Sequence, residues 1–419
     1  ADNVVDEANL KVSNSPTDGY VLTAQSGNTG GLTWAAQSGG GGGLSSDSQK
    51  NTVGGTNAGD SFDGSNAIKN TIIGYDAGTA ITQGYENSIY GYNAGLALTT
   101  GWYNTLIGAL AGDSLTTANN NIAIGYRALS ASSSGSENVA IGNNALQTSN
   151  SGQNVAIGKQ ALQSSTSGGL TAVGHRAMNN LTTGSDSTAV GHRAGKSQTT
   201  GTANTSMGYF AGDSITTGSH NTCIGSESGQ YFTTAGYNTT LGNQALRGSS
   251  GNSTGSFNTA IGYQAAKAVT TGNDLVAIGR QCLGACTTAS DTTAVGGKAL
   301  GSLTTGSKNT AVGYSAGELL ESNGSNTLFG AFAGAHITGG YNTIIGSDAG
   351  NTGTNDLTTG SNNTLIGFHA TASSATVSNE ITLGNSSIST LRCNTQTISS
   401  LSDRRDKTDI NTLDLGLDF

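Results

Sequence analysis

Few side chains in this 419-residue sequence can do chemistry, and the densest group is Leu401-Ser402-Asp403-Arg404-Arg405-Asp406-Lys407-Thr408-Asp409-Ile410. Six charged residues fall within the seven positions from Asp403 to Asp409, in a chain that is only 10% charged. On composition alone this is a solvated charge run. His175 and His192 each sit in Gly-His-Arg-Ala at one repeat phase, which makes them a metal site or, more simply, a surface ladder of stacked rings. The four cysteines, Cys223, Cys282, Cys286 and Cys393, have neither zinc-type pairing nor the density of a disulfide scaffold. They read as small buried residues, with a Cys282–Cys286 bridge or metal site as the alternative. A glycosidase needs two carboxylates facing one cleft, and Asp113, Glu227 and Asp291 show no such pairing. Adjacent threonines point to opposite faces and make no flat ice-binding lattice. No cofactor and no metal is expected.

The elements that must position these residues are copies of one unit. Glu137-Asn-Val-Ala-Ile-Gly-Asn-Asn-Ala-Leu146 recurs in near-copies from about residue 51 to residue 388. A glycine closes each short apolar run, twenty times from Gly54 to Gly384, and the usual step is 17 residues, as from Gly91 to Gly108. Three steps are shorter by one, and those ending at Gly74, Gly262 and Gly367 are 20 or 21. Insertions that keep the phase are loops on a solenoid.

Each repeat offers two strand-like pieces. The first is Asn-x-x-apolar-Gly, as in Asn121–Gly125; the second is Leu-Thr-Thr or similar, as in Leu98–Thr100. Asn and Gly tolerate left-handed backbone and mark the corners. The last apolar position of the first piece (Ile141, Val190, Leu241, Met207, Phe329) is assigned to the inside of the coil. The residue before it then points outward, yet it too is small or apolar (Ala123, Ala140, Ala189, Ile72, Leu106). A strand apolar on both faces is covered on both, so a second chain must supply one cover. The expectation is a homo-oligomer, with three chains the natural count. At about 4.8 Å per coil, twenty coils make a rod of roughly 95 Å.

Composition agrees with a thin all-β rod. Only 34% of residues are hydrophobic and 5% aromatic, with 65 glycines and a single proline. A net charge of −9 leaves no basic stripe, which argues against nucleic acid and membrane-surface partners. No apolar run is long enough for a membrane helix, and Ala1–Asp6 shows no signal-peptide pattern. A chain that starts without Met is expected to lack its true N-terminus.

The repeat resembles the left-handed parallel β-roll of trimeric autotransporter adhesin heads of the YadA type, whose repeats carry Asn-Ser-Val-Ala-Ile-Gly. Asn138-Val139-Ala140-Ile141-Gly142 and Ser187-Thr188-Ala189-Val190-Gly191 carry the match, over about 330 residues. The resemblance implies a homotrimeric β-roll (β-solenoid) of about twenty coils, and no ligand.

Residues 19–34 resemble connector segments of phage tail-fibre proteins, and Gly39–Gly43 read as a hinge. Leu401–Ile410 resembles the opening of the self-cleaving intramolecular chaperone domain of phage tailspikes, endosialidases and L-shaped tail fibres, with the motif Ser-Asp-x-Arg-x-Lys-x-Asp/Asn-Ile. That resemblance implies Ser402 as nucleophile, Lys407 as general base, and a cut between Leu401 and Ser402. A lysine serves as base only where burial or nearby positive charge, here Arg404 or Arg405, lowers its pKa. Asp406 departs from the apolar residue often found before the lysine, and the family's domain continues well past the length of 402–419. The chain thus divides into a connector (1–43), β-roll repeats (44–388), a neck (389–401) and the truncated opening of a chaperone domain (402–419).

Taken together, these features imply a virion protein: an extracellular phage tail fibre, trimeric, anchored to other tail proteins through its N-terminal region. It would bind a bacterial surface receptor, a glycan or an outer-membrane protein, through Asn351–Gly360 and Thr371–Asn379. The alternatives are a bacterial trimeric adhesin, which requires a membrane β-barrel that nothing here begins, and a glycan-degrading tailspike.

Overall fold

The computed structural model describes residues 44–249, 253–353 and 355–392, together with the backbone of Tyr20–Ala24 and Leu32–Ala36. Those two segments, β1 and β2, pair antiparallel with Tyr20 opposite Ala36. The Gly39–Gly43 hinge lies outside the described residues. No helix occurs among the described residues.

Between Thr52 and Leu383 the described residues form a parallel β-solenoid with one short strand per coil. Its twenty strands run from β4 (Thr52–Gly54) to β23 (Ile381–Leu383), each paired in parallel with the next. A two-residue strand, β3 (Ser45–Ser46), pairs antiparallel with β4 and blunts the open edge of the first coil. Register survives the insertions: Thr239 stands opposite Thr259, and Thr343 opposite Thr364. At the first coil the phase residue is Gly55 rather than Gly54, because Gly54 pairs with Ile73 while a side chain on Gly55 would strike the Gly74 carbonyl.

A column of buried asparagines ties the coils together. The Asn87 backbone N–H and Nδ2 both donate to Asn70 Oδ1 at 3.0 Å, and Nδ2 also donates to the Gly101 carbonyl at 2.9 Å. Asn87 Oδ1 accepts in turn from the backbone N–H and Nδ2 of Asn104. Asp47 starts the column by accepting from Asn51, and Glu380 stands at its far end, donating its N–H to Asn363 Oδ1. The corner reading of these asparagines needs correction. Their left-handed neighbours are the residues just before them, such as Lys69, Glu86 and Tyr103, while the asparagine side chains turn inward.

The phase glycine is fixed twice over. Gly74 has φ +148° and a Cβ there would lie 2.3 Å from the Gly91 carbonyl oxygen; the same contact repeats up the column. Only glycine combines that φ with that approach.

The strand faces are the reverse of the sequence expectation. The penultimate strand residue is the buried one: Ile72, Leu106, Ala123, Ala140 and Ala189 are all fully enclosed. The last residue faces outward, with Met207, Leu241 and Phe329 at 40%, 47% and 56% exposure. The inward place takes alanine in many coils and isoleucine or leucine in others, so position in the strand, not residue size, sets the face. Leu-Thr-Thr is likewise no strand. Its leucine is buried, as at Leu98, while Thr99 N–H bonds the Thr116 carbonyl one coil on.

In many coils two positions exchange core volume, although Ala189 with Gly195 and Ala311 with Gly317 are small at both. In five of the six coils from Ile72 onward whose buried strand residue is isoleucine or leucine, the fourth residue after the phase glycine is glycine, as in Ile72 with Gly78, Ile89 with Gly95, Leu328 with Gly334 and Ile344 with Gly350; Leu365 stands with Thr371. Where it is alanine, that position often carries a buried side chain: Ala123 with Leu129, Ala140 with Leu146, Ala172 with Met178, Ala294 with Leu300. A Cβ on Gly95 would lie 2.9 Å from Leu106 Cδ1 and 3.1 Å from Ile89 Cδ1. Close-packed interiors tolerate neither void nor overlap.

Two outcomes follow. Ile89→Ala is expected to cost about 2–5 kcal/mol as a cavity, and Gly95→Leu about 1–3 kcal/mol as overpacking; the double variant should cost clearly less than their sum in urea unfolding. Asn221→Ala leaves Asn204 Oδ1, the Ala235 carbonyl and Asn238 short of partners. At about 1–3 kcal/mol for an unsatisfied buried group, it should expose the coils around Asn221 to hydrogen exchange before the rest of the rod.

Candidate functional site

Ser402 and Lys407, together with Cys393 and most of the neck, lie outside the described residues. The rest of the sequence candidates fall on the rod, where the coil repeat decides which of them meet.

His175 and His192 do stack, with ring centroids 5.2 Å apart and planes 20° from parallel, and Tyr209 continues the stack at 5.4 Å from His192. Face-to-face rings place their nitrogens too far apart to share one small ion. Burial, and then the neighbouring His192, push the His175 pKa down. Among the described residues no group of three or more His, Cys, Asp or Glu could hold a metal. Tyr75 and Tyr92 stack in the same column at 5.7 Å. A second ring column, invisible at the level of single motifs, lies on the corner before the asparagines: His220, Tyr237 and Phe257, with centroids 4.8 and 5.1 Å apart. Its signal was present as aromatic residues one or two places before Asn.

Cys223, Cys282 and Cys286 are free and buried. Each replaces an apolar core residue, and Cys282 Sγ donates to the Ala294 carbonyl. Burial pushes the Cys223 thiol up to about 11 and those of Cys282 and Cys286 to about 12, so they are inert as nucleophiles. Asp113, Glu227 and Asp291 stand on three well-separated coils; Glu227 is engaged by Arg247 at 3.2 Å. The stretch Thr371–Asn379 adds no residues to its coil, since Thr364 pairs with Ile381 at the ordinary spacing, whereas 351–360 holds the extra residues.

The most extensive surface is the outer strand face. From β5 (Thr71–Ile73) to β23 the last strand residue is apolar or Tyr in all nineteen strands and buried in none. Threonines fill much of the first strand column, as in the run Thr188, Thr205, Thr222 and Thr239. Monomeric soluble proteins rarely expose a continuous apolar patch of this kind, and larger ones mark interaction surfaces.

Comparison with models of known protein families, with curated proteins and with solved structures finds no match to this chain.

Two measurements test this description. The three core thiols should resist iodoacetamide at pH 8 in the folded rod and react fully on denaturation. At the far end, hydrogen bonds from Ser373 hold Glu380 below its usual 4.5. A carboxylate with a depressed folded pKa contributes stability that is complete above the ordinary value and lost as pH falls through the folded one. Hydrogen exchange at the coil of Glu380 should therefore rise on going from pH 6 to pH 3, ahead of coils in the middle.

Proposed function

We propose that this chain forms a homotrimeric attachment fibre, a structural protein of the phage tail-fibre kind, in which three left-handed β-rolls pack through their outer strand faces. The observation that carries the association is the unbroken apolar column from Ile73 to Leu383. Sequence reasoning also arrived at a homo-oligomer, but through the wrong residues: the alanines it placed at the interface fill each chain's own core. Burying β-branched and aliphatic side chains along nineteen strands is worth about 25 cal/mol per Å² of apolar surface. Threefold association lets one face per chain meet the other two around an axis.

The tail-fibre reading rests on the 401–410 sequence, with Ser402 and Lys407 in the roles the resemblance implies. In that reading the cut follows trimer assembly, because only an assembled site desolvates the lysine. Its N-terminal region would meet other tail proteins, and its far part a bacterial surface receptor. An external enzymatic activity has no observation in its favour.

Sedimentation equilibrium should give three times the chain mass, and Val190→Asp with Ile224→Asp, two charges on the outer strand face, should give a monomer or aggregate. Intact mass of the gene product in full, beside a Ser402→Ala version, tests the cut: a wild-type chain ending at Leu401 and an uncut variant are expected. An uncut wild type in a native trimer would leave the rod and remove the self-cleaving reading.

A further inference from the structure

Over most of the rod the fifth residue after the phase glycine carries a long or polar side chain that fills the surface between turns, as Gln147, Gln163, Asn179, Gln230 and Arg247 do. Two consecutive coils break that column with Gly284 and Gly301. A hollow of about 360 Å³ results, with Lys267 at one end and Glu318 at the other. A second hollow of about 300 Å³ shares Glu318 and is walled by Phe332, His336 and Asn351. The two make a groove along the rod over six coils, about 24 Å at 4.8 Å per rise. None of its lining residues belongs to a strand, so the outer strand face and the groove are separate surfaces.

We propose that this groove binds an acidic oligosaccharide laid along the rod axis. This deepens the attachment reading by naming its ligand class and place. The first half of the groove is rich in donors. Gln281 Nε2 donates to Gln264 Oε1 at 3.3 Å, and Gln264 Nε2 to Gln244 Oε1 at 2.8 Å. Each carboxamide has two N–H groups, so this ladder spends one and leaves one per coil. Lys298 is paired with Glu318 at 3.1 Å, whereas Lys267 forms no ion pair among the described residues. The two lysines against one carboxylate give the hollow a local positive excess in a chain of net charge −9, which favours an anion. The second half adds a ring. Phe332 is 37% exposed and meets Tyr314 edge-on at 5.3 Å, leaving ring surface for the C–H face of a pyranose. A polymer with hydroxyls at every unit and a carboxylate at the first half matches the donors of Gln264, Gln281 and Lys267 there, while in the second half, where His336 is paired with Asp356 at 3.0 Å, it meets the ring of Phe332. A peptide would need apolar side-chain pockets along its length; the second hollow has Leu319, Phe332 and Ala335, but the first offers only Ala285.

The test is calorimetric titration of the whole chain with hexagalacturonate, with an α2,8-linked sialic acid hexamer, and with neutral maltohexaose. At least one acidic hexamer should bind about tenfold or more tightly than the neutral one. Gly284→Gln with Gly301→Gln fills the groove with the residue type other coils carry there; a Cβ at either glycine meets only its own turn's carbonyl at 3.1 Å. This variant should keep its unfolding profile and lose about tenfold or more in affinity, as should Lys267→Gln. Failure of both acidic hexamers to bind, or equal binding by the filled variant, overturns the proposal. Labelled rods on bacterial cells separate the two readings. Cells coated equally by wild type and filled variant would sink the groove and keep attachment, and hexamer binding without coating of any host would do the reverse.

Discussion

Most coils of this rod depend on one buried hydrogen-bonding unit, an asparagine whose side-chain oxygen accepts from the coil after it and whose backbone N–H donates to the coil before it. An amide buried without partners costs about 1–3 kcal/mol. At Asn87 the carboxamide oxygen accepts two N–H groups of Asn104, and Nδ2 donates to both Asn70 Oδ1 and the Gly101 carbonyl. At Asn138, Asn204 and Asn258 the bond to the preceding rung runs through the backbone N–H, and Nδ2 turns to a neighbouring carbonyl. The network fixes the spacing of the coils and the place of the chain within each. The phase glycine follows from it, because coils held this close leave no room for a Cβ against the next carbonyl.

With spacing set, packing becomes a problem of constant cross-section. In many coils the chain solves it by exchanging volume between two positions of the same coil, isoleucine against glycine or alanine against leucine. Each coil closes its own core and touches only its neighbours, so stability accumulates along the rod as in other stacked repeats. Insertions are then cheap wherever they leave the asparagine and the glycine in place, as 351–360 does between Asn342 and Asn363.

Much of this was legible in the sequence. The step of 17, the number of coils, the in-phase insertions, the His175–His192 stack and the buried thiols all follow from periodicity and residue type. What misled was the equation of larger apolar residues with the interior. Val190 and Ile141 look like core beside Ala189 and Ala140, but the penultimate place in the strand is the inward one whether it holds alanine, as there, or isoleucine, as at Ile72. The asparagines misled for a related reason: their residue type fits a left-handed corner, and only the stack shows that their side chains bond from coil to coil. The groove was legible only as a column, since Gly284 and Gly301 mean nothing until they are aligned with Gln147 and Gln163.

The asparagine column is not continuous. Leu170 and Leu275 interrupt it, and after each a hydroxyl residue restarts it: Ser187 accepts from Asn204, and Thr292 from Asn309. The backbone ladder still crosses both levels, with Thr171 opposite Thr188 and Leu275 opposite Thr292, so the connection there rests on main-chain hydrogen bonds that the other levels supplement with a side-chain rung.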